Sequence, residues 1–156
     1  MKENRTELTA SHQTMIILWA ALLISQFIFV FVLYVVKPEL FRFDLDQPIF
    51  GEDPILVIVL AAAALISVGA SFVWRSKLRQ QAFAEQKVVL LQSGLIVAMA
   101  LCEAATLFGL VLAFAFDYQY FFLWFALGIF GMLLHFPKFS DILAATYKTN
   151  LDNNLK

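Results

Sequence analysis

The chain is 156 residues long, 62% hydrophobic, and carries seventeen phenylalanines against six glycines; its mean hydropathy is +0.80. A soluble domain of this length cannot bury so much apolar surface, so composition predicts an integral membrane protein. A formal net charge of -1 and a pI near 6.1 exclude the broad positive field that nucleic-acid binding needs.

About 20 consecutive, mainly apolar residues cross a bilayer as a helix, and that length predicts four spans. The first runs from Met15 to Val36. Its apolar core is too long for a cleaved signal peptide, and Lys37-Pro38-Glu39 follows where a cleavage site would need small residues, so it is expected to remain as an anchor. Ser25 and Gln26 lie at its centre. The loop that follows, KPELFRFDLDQPIFGED, collects Glu39, Asp44, Asp46, Glu52 and Asp53. Their spacing fits no calcium loop and reads as a solvated acidic linker.

The second span, Pro54 to Trp74, has a small-residue stretch, Ala61 to Ala64, followed by Ser67, Gly69, Ala70 and Ser71. No Gly, Pro, Asn or Asp occurs from Ala70 through Ser93. Spans two and three are therefore expected to continue as helices beyond the apolar zone and to reverse near Ser76 to Gln81. Arg75, Lys77, Arg79 and Gln80 give this cytoplasmic connection a basic, helical tip. It reads as a topology determinant that touches anionic headgroups, with a docking surface for a partner as the alternative.

The third span, Val88 to Phe116, holds one acidic side chain, Glu103, near its middle and no Lys, Arg or His. A carboxylate at the centre of a bilayer costs about 2.5 to 3.5 kcal/mol on insertion scales, so such groups face a protein interior or an ion pathway. Gly94, Ala98, Cys102, Ala105, Gly109 and Ala113 recur at steps of three and four, which draws one seam along a helix. Another helix is expected to press there, and the small residues of span two make spans two and three the expected tight pair. Spans one and four, rich in Phe, Leu and Ile, are expected to be more lipid-facing. Gln26 is placed at the depth of Glu103 and is a candidate hydrogen-bond partner for it.

The stretch RQQAFAEQKVVLLQSGLIVAMALCEAATLFGLVLAFAF resembles the polar-loop and carboxylate-helix half of the proteolipid ring subunit of rotary ATP synthases. The resemblance implies that Arg79 and Gln80 match the Arg-Gln pair of the loop. It also implies that Glu103 matches the ion-carrying carboxylate and Phe108-Gly109-Leu110 the segment after it. Span two differs from the ring pattern in being alanine-rich, with Gly69 as its one glycine, and four-helix proteolipids carry the carboxylate on the last helix rather than the third. The similar part covers about a quarter of the chain, Arg79 to Phe116.

The fourth span, Tyr120 to Phe136, is short and stops at Pro137; the tight Asp117-Tyr118-Gln119 link makes it the return stroke of a hairpin. His135 ends it as an expected interfacial anchor. His135 and His12 do not supply the two facing ligands that a haem pair needs. The tail SDILAATYKTNLDNNLK is expected to begin a short interfacial helix capped by Ser140 and to fray through Asn153 and Asn154.

Lys2, Arg5, Arg75, Lys77, Arg79, Lys87, Lys138, Lys148 and Lys156 fall on one side of these spans, and Lys37 and Arg42 on the other. The positive-inside rule then places both termini in the cytoplasm. The expected fold is an all-α membrane protein, a single domain over 1–156 with four transmembrane helices in an antiparallel N-in, C-in bundle and cytoplasmic tails over 1–14 and 138–156. A bacterial cytoplasmic membrane is the expected location.

No glycine-rich phosphate loop, nucleophile elbow or intramembrane carboxylate pair is visible, so no catalytic residue is assigned and the chain is read as a non-enzyme or a non-catalytic subunit of a larger enzyme. The single cysteine, Cys102, cannot form an intrachain disulfide, and the absence of a Cys/His cluster gives no metal site and no cofactor. The expected function is that of an accessory or scaffold subunit in which a buried, neutral Glu103 donates a packing hydrogen bond. The alternative is a proteolipid-like subunit whose Glu103 binds a proton. Expected partners are the lipid bilayer and either further copies of the chain or other membrane subunits.

Overall fold

The computed structural model of the protein describes the backbone of residues 2–42, 48–51 and 53–154 and the side chains of 7–42, 48–51 and 53–146. No strand occurs among the described residues, and five helices follow one another: α1 (Lys2–Val36), α2 (Pro54–Glu85), α3 (Val88–Phe116), α4 (Phe122–Leu134) and α5 (Phe139–Asn154). Single 3₁₀ turns, Pro38–Phe41 and Gln119–Phe121, lead out of α1 and into α4. Asp44, Asp46 and Glu52 of the acidic loop lie outside the described residues.

Three helices are long and apolar enough to cross a membrane, Glu7–Val36, Pro54–Glu85 and Val88–Phe116. A fourth span exists if Gln119–Leu134 and Phe139–Thr146, bent by 46° at the break between them, act as one. The thirteen residues of α4 reach only about 20 Å at 1.5 Å per residue, short of the roughly 30 Å of a hydrocarbon core. The bend falls at Pro137, which has no backbone N–H with which to continue the helix.

The boundaries correct the sequence reading in three places. Helix α1 begins at Lys2, so residues 2–14, read from the sequence as a tail, are helical and continuous with the first apolar run. Reversal between α2 and α3 occurs at Gln86 and Lys87 rather than near Ser76 to Gln81, and Arg75, Lys77, Arg79 and Gln80 consequently lie on α2 itself, not in a connecting loop. Nothing in 76–81 breaks a helix. At Gln86 the backbone turns left-handed, with φ 56°; its N–H and that of Lys87 both return to the Ala82 carbonyl, and its side-chain Nε2 donates to Phe83 O at 2.8 Å. Finally, Ser140 is inside the first turn of α5 rather than capping it, and the helix continues through Asn153 to Asn154.

Helix α3 is the centre of the molecule. In its most apolar stretch 44% of residues are buried, against 11% for α1 and 17% for α2, and it packs on α1, α2 and α4. Helix α1 keeps Ile17, Ile24 and Phe31 outward, and α2 keeps Ile55 and Ile66 outward in the same way. Helix α4 departs from the expected lipid-facing role: Trp124, Phe125, Gly128, Gly131 and Met132 are all buried. Its glycines are the reason. A Cβ on Gly128 would stand 2.2 Å from Thr106 Oγ1 and 2.8 Å from the Cys102 carbonyl of α3, and one on Gly131 would stand 2.8 Å from Cys102 Sγ.

Candidate functional site

Two polar clusters interrupt the apolar interior, one between α1 and α3 and one where α2, α3 and the end of α4 meet. The first is built on Glu103, which is half-buried. Ser25 of α1 places its Oγ 2.7 Å from the Leu22 carbonyl and 3.3 Å from Glu103 Oε1. Gln26, fully buried, brings its Nε2 to 3.5 Å from Ser25 Oγ. Gln26 thus reaches Glu103 through Ser25 and not directly, which corrects the expected pairing: consecutive helical residues point about 100° apart, so only one of the two can face α3 closely. Gln26 Oε1 has no partner among the described residues.

The second cluster was not read from the sequence. His135, which ends α4, is 1% exposed rather than an interfacial anchor, and its Nε2 lies 2.8 Å from Ser71 Oγ of α2. Ser71 Oγ is 2.6 Å from the Val68 carbonyl, and Cys102 Sγ of α3 reaches it at 3.5 Å. A serine hydroxyl has one hydrogen and two lone pairs. Donation to Val68 leaves Oγ to accept from both the histidine N–H and the thiol, so all of its valences are used. The ring of Phe72 covers the imidazole at 4.4 Å between centroids.

Around this cluster, side chains from α1 and α2 serve carbonyls of the last turn of α4 and of the elbow that follows it. Trp19 Nε1 donates to Met132 O at 2.8 Å, Arg75 Nη2 to Phe136 O at 3.1 Å, and His12 Nε2 approaches Pro137 O at 3.4 Å. The elbow between α4 and α5 is therefore held from two sides, and the Arg75 cation sits where a helix C-terminus favours positive charge. Arg79 Nη1 stands 3.9 Å from Asp141 Oδ2 of α5.

The six seam residues, Gly94, Ala98, Cys102, Ala105, Gly109 and Ala113, are all buried. They do not meet one helix. A Cβ on Gly94 would lie 3.1 Å from Leu78 Cβ of α2, whereas one on Gly109 would lie 2.6 Å from Trp124 Cβ of α4. At the opposite end of the bundle Lys37 forms an ion pair with Asp117 and donates to Phe114 O at 2.9 Å, closing the C-terminus of α3 from the end of α1. Nearby, Tyr118 Oη donates to Ile49 O at 2.6 Å. Burial pushes the Tyr118 phenol above its ordinary range.

The remaining residues marked from the sequence stand apart. Lys77 and Gln80 are exposed on α2, and Arg79 and Gln80 precede the reversal by a full helical turn and more, so they do not form its tip. No group of three or more His, Cys, Asp or Glu capable of holding a metal occurs among the described residues. What the arrangement supplies chemically is interhelical hydrogen bonding, concentrated in two buried clusters, and a cationic surface at one end. No family model, curated protein or solved structure matches the chain.

Proposed function

We propose that the chain is a four-span integral membrane protein with both termini on the cytoplasmic face, and that it serves as an accessory or scaffold subunit of a membrane assembly. In this role the carboxyl of Glu103 joins α1 to α3. The observation that carries the reading is the geometry around Ser25. Ser25 Oγ lies 2.7 Å from the Leu22 carbonyl of its own helix and 3.3 Å from Glu103 Oε1, so its hydroxyl is the donor that reaches from α1 to the carboxyl of α3. Gln26 Nε2 donates to the same hydroxyl oxygen. A carboxyl held by a hydrogen bond from the neighbouring helix specifies helix pairing and needs no ion path.

One observation favours the second reading, proton binding by a proteolipid-like subunit: Gln26 Oε1 is an open acceptor within the same buried cluster. Substitution separates the two. Glu103→Gln keeps an acceptor oxygen and the side-chain shape, so the scaffold reading expects unchanged melting in detergent and unchanged co-purification with native membrane partners. Glu103→Leu removes the bond and is expected to lower stability by about 1 kcal/mol, the usual worth of an interhelical hydrogen bond in a membrane. Loss of proton-linked flux in reconstituted vesicles with Glu103→Gln, its melting unchanged, would replace the scaffold reading with the ion-binding one.

A further inference from the structure

The end of the bundle that holds the α4–α5 elbow carries a cleft of about 240 Å³ lined by Phe72, Arg75, Arg79, His135, Lys138 and Asp141. Three permanent cations share it with one carboxylate. That carboxylate, Asp141, faces Arg79 at 3.9 Å, beyond the spacing of a close charged hydrogen bond. Arg75 gives one of its five N–H groups to the Phe136 carbonyl, which fixes its guanidinium at the rim while the others keep their donor capacity. A narrower recess lined by the same Arg75, Arg79, Lys138 and Asp141 adjoins the cleft between α2, α3 and α5. The same four charged side chains therefore border both hollows, Arg79 and Lys138 from exposed positions where a headgroup can reach them.

The apolar surroundings narrow the class of anion. Phe72, Leu134 and Phe136 also border the cleft and are 39%, 55% and 46% exposed. They continue it onto the outward apolar faces of α2 and α4. A soluble anion has no use for such a border. A phosphate diester carrying acyl chains satisfies both parts at once, because basic pockets at the ends of membrane helices take lipid phosphates while the flanking apolar surface takes the chains.

We infer that the cleft between α2, the α4–α5 elbow and α5 binds the phosphate of an anionic phospholipid, with Arg79 and Lys138 as its principal ligands and Phe72, Leu134 and Phe136 against the chains. Seated there, the lipid bridges α2 to α5 and stiffens the elbow, where Arg79 and Asp141 meet loosely. The inference rests on the membrane reading above, in which this end of the bundle lies at the headgroup level.

The test uses the full chain purified in a non-ionic detergent, after alkaline carbonate washing has shown whether it stays with the membrane; release by that wash would defeat the membrane reading itself, independently of the lipid titration. Phosphatidylglycerol, phosphatidylcholine and inorganic phosphate are each titrated, with binding read by native mass spectrometry and by melting temperature. Phosphatidylglycerol is expected to bind and raise the melting temperature, and phosphatidylcholine to do neither. Arg79→Gln with Lys138→Gln is expected to weaken phosphatidylglycerol binding by on the order of thirtyfold, the equivalent of about 1 kcal/mol for each charge removed. Lys77→Gln with Lys87→Gln, which removes two charges outside the cleft, should leave it unchanged. Lys138→Arg should retain binding and shows that charge, not the lysine shape, is read. Equal loss in both double variants, or equal binding of phosphatidylcholine, would overturn the site. Binding of inorganic phosphate with the same Arg79 and Lys138 dependence would overturn the lipid source and assign a soluble phosphate instead.

Discussion

Ser71, Cys102 and His135 show how much a few buried polar atoms determine. Each comes from a different helix or helix end, and Ser71 Oγ satisfies the other two. Removing that oxygen leaves a buried imidazole N–H without its acceptor. Ser71→Ala is therefore expected to destabilise by about 1 to 3 kcal/mol, the usual cost of an unsatisfied buried group. Cys102→Ala, which removes only a weak thiol donor and a small volume, should cost less. A double variant, Ser71→Ala with His135→Leu, removes both partners and should lose less than the sum of its parts. Thermal melts of the wild type, Ser71→Ala, His135→Leu and the double variant in one detergent check this; strictly additive losses would mean that the contact contributes nothing. Glu103 belongs to the same scale but to a milder environment, since it is half-buried and its contact with Ser25 is long.

At the scale of elements, close approach is the property that positions α3 and α4. A methyl group at Gly128 would overlap Thr106 Oγ1 and a backbone carbonyl, and a carbonyl cannot swing aside as a side-chain tip can. Gly128→Ala is accordingly expected to cost about 1 to 3 kcal/mol through overpacking. Gly69 of α2 is the internal control. Nothing lies within 4 Å of where its Cβ would be, so Gly69→Ala should be neutral or stabilise by about 0.4 to 1 kcal/mol through reduced freedom of the unfolded chain. Equal melting of the two variants would mean that the glycine contact does not hold the helices.

The turn between α3 and α4 supplies a pH dependence. Tyr118 ties Ile49 to the bundle through its phenol hydrogen, and burial raises its folded pKa. A raised folded pKa means that the tie contributes fully below the unfolded value of about 10 and is lost as pH rises through the higher folded value. Proteolytic or labelling access to the 48–51 segment is expected to stay low at pH 8 and to rise only above about pH 10. Tyr118→Phe should show that access at every pH. Access that increases in the wild type already near pH 8 would mean that another group holds this segment.

For the whole molecule, the distribution of charge and of exposed apolar residues predicts orientation. Ile17, Ile24 and Phe31 of α1 and Ile55 and Ile66 of α2 face outward, as lipid contact requires. Nine of the eleven basic residues belong to the terminal segments, the last three turns of α2 with its turn into α3, and the α4–α5 elbow, and in the proposed topology that end faces the cytoplasm. Cys102 is fully buried, so the native thiol gives little background in an accessibility experiment. In intact cells Phe50→Cys is expected to react with an impermeant maleimide, and Lys87→Cys to react only after permeabilisation. Reaction of Lys87→Cys in intact cells would reverse the orientation.

The sequence by itself determined the helices and little about their neighbours. Long apolar runs, the breaker-free stretch from Ala70 to Ser93 and the three-and-four spacing of the α3 seam are local properties, because backbone hydrogen bonding in a helix joins residues four apart and one face repeats every 3.6. The spacing of Gly94, Ala98, Cys102, Ala105, Gly109 and Ala113 on one helix face is legible in that way. Tertiary structure alone decided which helix each meets, Leu78 of α2 for Gly94 and Trp124 of α4 for Gly109. It also placed the reversal at Gln86, where a left-handed glutamine is no feature of propensity. The Ser71–His135 bond spans 64 positions and the Cys102–Ser71 contact 31. No periodicity within a helix reports such pairs: the second exists once the reversal at Gln86 and Lys87 has laid α3 against α2, and the first once the turn between α3 and α4 has carried the end of α4 back to α2.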